Sequence, residues 1–234
     1  MNLLIKYPSR ERPIQFFSVL NKAQQHRVLK ETRFLVTLDS NDAQMNNEKT
    51  KQVLNRWGNL EYIFGESKSK IDAVNRDMES SGEWDIVLLL SDDMHPQIKG
   101  YDKIIVELFE KHFPDTDGIL WLNDGYTRER INTIVCAGRK YLERISKEVY
   151  KLAEIVLYHP SYFSLFADNE HTEIAQMTNK FIYHDQVLIQ HRHPMTVRGV
   201  MMDGLYKRND KFFAQDKKNY ENRKAQHFNL MEIC

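Results

Sequence analysis

The chain is short of the residues that mark several large protein classes. It has two cysteines in 234 residues, Cys136 and Cys234, 98 positions apart. Such a pair makes neither a disulfide framework nor a zinc-finger spacing, and it fits a reducing compartment. Glycine is scarce, nine in all, and no G-x-x-x-x-G-K-[ST] or G-x-G-x-x-G loop occurs. That excludes the two common glycine-rich phosphate cradles. No G-x-S-x-G elbow is present to carry a serine nucleophile. Net charge is lacking too: 33 Lys and Arg balance 33 Asp and Glu, so no global basic field draws the chain to nucleic acid. No apolar run approaches the ~20 residues that cross a bilayer. The opening "MNLLIKYPSRERP" is too weakly apolar to read as a signal peptide. These absences lead us to expect a cytoplasmic protein with no membrane element.

What is present is an ordinary folding composition, 41% hydrophobic and 11% aromatic, enough for a sizeable core. No repeat, low-complexity tract or Pro/Gly linker divides it, so we expect one domain over residues 1–234. Its first part, 1–130, alternates strand and helix signals. "LLIKY", "RFLVTL", "LEYIF", "DIVLLL" and "GILWL" read as strands. Between them, Phe16, Phe17, Leu20 and Ala23 share one helical face, as do Ile71, Val74 and Met78. Helices are predicted over Asn46 to Trp57, Lys68 to Met78 and 101–113. The alternation predicts an α/β, Rossmann-like fold, a mostly parallel sheet with helices on both faces. Residues 131–205 complete the sheet and a pocket, and 206–234 form a charged C-terminal helical tail. Phe213 and Tyr220 would pack inward from that tail.

In open α/β sheets, ligands bind beyond the carboxyl ends of the strands. Four ends here deliver polar groups to one edge: Pro8, Ser9 and Arg10; Asp39 and Ser40; Ser91, Asp92 and Asp93; Asn123 and Asp124. The adjacent Asp92 and Asp93 follow a buried apolar run. Two such carboxylates repel unless one is protonated or a cation is near. Hard oxygen ligands suit Mg²⁺ or Mn²⁺ together with phosphates. The plainer reading is a solvated turn in which Asp93 caps a following helix.

The stretches "YPSRERP", "TLDSND", "KSKIDAVNRDM", "LLLSDDM", "FADNEHTEIA" and "LIQHRHP" follow in an order that resembles the GT-A glycosyltransferases, family 2-like inverting enzymes above all. The resemblance spans about Asn2 to Pro194 and rests on the order of the six motifs. It implies a nucleotide-sugar donor, a UDP-sugar first, a divalent Mn²⁺ or Mg²⁺, and transfer to an acceptor hydroxyl with inversion. "SDD" then stands for the acidic D-x-D-type motif with Ser91 departing from its first place. Asp93 would bind metal and Asp92 the donor. Pro8, Ser9 and Arg10 would pass the base and phosphates, Asp39 would read the base, and Lys70 and Asn75 would flank the nucleotide. Residues 1–130 become the donor half and 131–205 the acceptor half.

The resemblance places a general base at Asp168, with Glu170 as substitute. A C-terminal metal histidine falls at His191, with His193 second. A carboxylate can take the proton that an attacking alcohol must lose. Asp168 read plainly is a helix cap, and the histidines are packed or surface residues. Tyr158, Tyr162 and Phe163 could stack on a sugar or belong to the core. Residues 207–224 carry seven Lys and Arg against three Asp and Glu, so the tail is a solvated helix, a lid over a diphosphate, or an arm for a polyanion such as DNA. The acceptor stays open among a glycan, a small molecule and a modified DNA base. Two other functions remain: a nucleotidyltransferase or related metal-dependent phosphoryl-transfer enzyme, and a non-catalytic module of this fold that binds nucleic acid.

Overall fold

The computed structural model describes residues 1–194, 197, 199–200 and 202–232. Cys234 lies outside them. Seven strands form one sheet in the order β3-β2-β1-β4-β7-β6-β8: β1 (Leu3–Ser9), β2 (Arg33–Asp39), β3 (Leu60–Gly65), β4 (Ile86–Leu89), β6 (Ile119–Leu122), β7 (Cys136–Gly138) and β8 (Phe181–His184). The short strands β5 (Met94–Pro96) and β9 (Ile189–His191) pair antiparallel in a separate ribbon. In the large sheet only β7 runs against the others. Six carboxyl ends therefore meet at one edge.

Strand period two divides the core between the two faces. Leu3, Ile5 and Tyr7 of β1, Phe34, Val36 and Leu38 of β2, and Ile86 and Leu88 of β4 enter one cluster. Helices α1 (Pro13–His26) and α4 (Tyr101–His112) cover it with Phe16, Leu20, Ala23, Ile105 and Phe109. The alternate residues Leu4, Leu35, Val87 and Leu89 join the opposite cluster with Ile71, Val74 and Met78. Both faces are thus buried, which is why the strands read as continuous apolar runs.

Helix boundaries differ from expectation where caps decide them. Asn47 accepts from the Thr50 N–H and starts α2 (Glu48–Leu54). Ser69 accepts from the Asp72 N–H and starts α3 (Lys70–Asn75). Both helices are shorter than the polar runs around them suggested. Helices α5 (Arg139–Arg144) and α6 (Ala167–Thr178) belong to the second half. The tail is two helices, α7 (Gly204–Asp210) and α8 (Phe213–Ala225), rather than one. Phe213 is 47% exposed, against the inward packing expected of it. The fully buried side chain of α8 is Asp216.

Candidate functional site

The β1–β4 pairing ends at Lys6 and Leu89, with one last bond from the Leu90 N–H to the Lys6 carbonyl. Pro8 follows without an N–H to donate, still beside Thr37 of β2. The two central strands therefore part at the carboxyl edge, and "SDD" fills the opening. The repulsion between its aspartates is resolved by turning them apart. Asp92 is buried and accepts from the Tyr7 hydroxyl (3.1 Å) and the Ser9 hydroxyl (3.1 Å). Burial raises its carboxyl to about 7 despite the nearby Arg12 charge. Asp93 instead faces the β5–β9 ribbon, with Oδ2 3.5 Å from His191 Nε2. The Ser91 hydroxyl donates to Oδ1 and the Tyr206 hydroxyl to Oδ2 at 2.6 Å. Burial opposes the Asp93 charge, but His191 and the two hydroxyls outweigh it and hold the carboxyl well below its usual range. The following residues form β5, so Asp93 caps no helix.

The ribbon carries the histidines to this point. The His191 N–H donates to the Asp124 carbonyl (3.0 Å) and the Arg192 N–H to the Asp93 carbonyl (2.8 Å). The His193 ring lies 5.8 Å from that of His191, and burial lowers its pKa to about 4. Asp168 stands in the first turn of α6, its Oδ1 accepting from the Asn169 N–H (3.0 Å). Burial raises its carboxyl, while Lys70 and His191 pull the other way. Lys70, at the start of α3, also acts electrostatically on His193.

A second group lies at the ends of β2 and β3. Asp39 Oδ2 accepts from Arg10 Nη1 (2.5 Å), and its buried Oδ1 has no hydrogen-bond partner among the described residues. Gly65 is its register partner on β3. The Arg76 guanidinium occupies the space a Cβ on Gly65 would fill. Arg76 Nη2 donates to the Leu38 carbonyl (2.9 Å), and Nη1 is buried and unpartnered among the described residues.

No protein-family model and no curated protein sequence matches this chain. Solved structures do. A mannosyltransferase, PcManGT of Pyrobaculum calidifontis, in complex with GDP-Man and Mn²⁺, superposes with a TM-score of 0.66 over 96% of this chain at 15% identity. Residues 1–349 of S. aureus TarS in complex with UDP superpose with a TM-score of 0.61 over 95% of the chain at 14% identity. The chain has the GT-A glycosyltransferase fold. It spans 64% of the mannosyltransferase's length and 43% of the longer TarS chain.

Within this GT-A frame, Ser9, Arg10, Asp39, Asp92, Asp93, His191, His193, Lys70 and Asp168 gather along one edge. Three expected residues have their polar atoms engaged within the fold. Asn75 braces the loop before α6: its amide donates to the Tyr158 carbonyl (2.8 Å) and accepts from the Leu157 and Tyr158 N–H groups. That differs from the donor contact expected of it. Glu170 is 1% exposed and locked by Arg223 (2.7 and 2.8 Å) and the Tyr162 hydroxyl (2.7 Å), so no oxygen is left for a substitute base. Asp92 likewise spends both oxygens internally. Tyr158 and Tyr162 are core residues, and Phe163 stacks on Phe212 (4.8 Å). Asn123 and Asp124 hold their own turn: Asn123 accepts from the Gly125 N–H, and Asp124 from the Tyr126 and Thr127 N–H groups. Sequence reasoning missed Arg12, Arg76 and Tyr206. Arg12 lies within "YPSRERP", but nothing local sets it apart from Arg10. Tyr206 is 113 positions from its partner.

Among the described residues no three His, Cys, Asp or Glu side chains converge on one point. Asp93 and His191 remain as a two-residue donor set. Their 3.5 Å separation is within half an ångström of the roughly 3 Å between neighbouring ligands in an octahedral shell of ~2.1 Å bonds. One carboxylate and one imidazole, with the rest of the shell supplied by phosphate oxygens and water, suit Mn²⁺ or Mg²⁺.

Proposed function

We propose that the chain is a divalent-metal-dependent glycosyltransferase that moves a sugar from a uridine diphospho-sugar to an acceptor hydroxyl with inversion. The observation that carries this reading is the Asp93–His191 pair, 3.5 Å apart beyond the end of β4, whose surroundings include Asp168 and Lys70 within electrostatic reach. Asp93 and His191 would hold Mn²⁺ or Mg²⁺, which when bound supplies positive charge against the departing diphosphate. Lys70, whose charge acts on Asp168 and His193, would add positive charge toward the same diphosphate. Asp168 takes the proton from the attacking hydroxyl, and its raised pKa brings it nearer the pH at which a base accepts protons efficiently. Direct attack on the anomeric carbon opposite the leaving group inverts it.

The group at β2 and β3 supports uridine. An acceptor, Asp39 Oδ1, and a donor, Arg76 Nη1, both lack a hydrogen-bond partner among the described residues, and Gly65 is the register partner of the first and packs against the second. This matches the imide edge of uracil, an N–H beside a carbonyl. Guanine presents two adjacent donors and would use both carboxylate oxygens, of which Oδ2 is held by Arg10. The test is a panel of nucleotide sugars with Mn²⁺ or Mg²⁺. UDP release is expected from UDP-sugars above GDP-sugars, and it should vanish in Asp93→Ala. If no nucleotide sugar binds, or Asp93→Ala turns over like the wild type, the reading fails.

A further inference from the structure

Helix α7 lies against the strand ends. Its N-cap Asp203 holds Arg12 in a two-pronged ion pair (2.7 and 2.7 Å), and Arg208 reaches Glu11 at 2.8 Å. Between these anchors the Tyr206 ring lies under the Arg12 guanidinium, 3.9 Å away, and edge-on to His193 at 4.9 Å. Its hydroxyl is thereby aimed at Asp93 Oδ2, the oxygen that faces His191. A carboxylate oxygen has two lone pairs, so Oδ2 can keep Tyr206 on one and offer the other toward His191. Ser91 holds the second oxygen, and the carboxylate plane is pinned from both sides.

We propose that Tyr206 is a positioning residue of the metal site. It fixes the Asp93 carboxylate so that a lone pair of Oδ2 points into the gap before His191, and α7 thereby completes a site whose ligands lie on β9 and after β4. Groups that hold a ligating carboxylate tune metal affinity without touching the metal. The inference rests on Asp93 as a metal ligand.

The experiment is Mn²⁺ titration of the full chain without donor, followed by electron paramagnetic resonance of free Mn²⁺. Wild type, Asp93→Ala, Tyr206→Phe and Asp203→Asn are compared, with metal-free melting temperatures alongside. Tyr206→Phe should weaken Mn²⁺ binding about 10- to 100-fold while melting close to wild type. Asp203→Asn loosens the α7 anchor with Tyr206 intact and should weaken binding by less. It carries the test if the tyrosine variant does not fold. Unchanged affinity in the folded variants overturns the proposal. Tighter binding also overturns it, because Tyr206 would then be an obstruction. If wild type binds no Mn²⁺, or Asp93→Ala binds it normally, the metal reading falls and this inference falls with it. Loss in Asp93→Ala with no loss in Tyr206→Phe or Asp203→Asn sinks only the inference.

Discussion

Asp168 and Glu170 stand two positions apart on α6 and meet different chemistry. Asp168 has one oxygen on a backbone N–H and a carboxyl raised by burial. Glu170 is enclosed by Arg223 and Tyr162. Asp168→Asn should therefore keep UDP-sugar and Mn²⁺ binding while lowering single-turnover transfer roughly 10²- to 10⁴-fold. As the proposed base, Asp168 would act when deprotonated, so activity should fall as pH drops through its folded pKa. Because that pKa is raised, the acid limb of kcat should lie above the ordinary Asp value near ~4. Glu170→Gln should act on stability instead. Removing one partner of a buried pair leaves the Arg223 charge without its counter-ion and costs about 3–5 kcal/mol. A urea midpoint measures this, and transfer per folded molecule should persist.

At the scale of elements, the C-terminal helices brace the segments around the candidate site. Asp216 of α8 accepts from the N–H groups of Phe163, Ser164 and Leu165 at 2.9, 2.8 and 2.8 Å. Those residues form the turn that launches α6, where Phe166 adopts a left-handed φ of 63°. Asp216→Ala would strand three donors at a buried position and should destabilise the chain by about 3 kcal/mol. Hydrogen exchange at 163–165 should rise more than in the sheet, and kcat should fall more than the donor KM changes. The sheet was legible in the sequence because burial on both faces writes itself as uninterrupted apolar runs, such as "IVLLL" before "SDD". Asp93 and His191 could be singled out because both lie at strand ends, and the structure places them 3.5 Å apart. Asp216, Arg12 and Tyr206 could not. Their partners are 53, 191 and 113 positions away, and a pairing across such distances leaves no local period to read. The tail showed a +4 excess of charge, which pointed outward to solvent or a polyanion. Its structural residues are an aspartate facing inward and an arginine facing Glu170.

At the scale of the whole molecule, the sheet encloses titratable groups that tie folding to pH. Lys6 in central β1 is fully buried and donates to the Thr37 hydroxyl and the Arg76 carbonyl. Burial lowers its pKa from 10.5 to about 7, with Asp77 opposing the shift. Between those values the unfolded chain holds the Lys6 proton and the folded chain has released it. The unfolded state therefore binds more protons, and stability rises with pH across the window. The Tyr7, Tyr101, Tyr150 and Tyr158 hydroxyls and the Cys136 thiol are raised by burial. They act in the opposite sense, because the unfolded chain gives up those protons first as pH climbs past about 9. The two trends leave pH 7–9 as the range in which Lys6 can be read. Lys6→Met removes the titration and keeps a stem of similar length in the core. Chemical denaturation of both proteins at pH 7 and pH 9 should show the wild type gaining about 2 kcal/mol relative to the variant. The tyrosine and cysteine contributions cancel in that difference. Parallel pH dependences in the two proteins would mean that Lys6 keeps its proton inside the fold, with the Thr37 and Arg76 oxygens stabilising the charge.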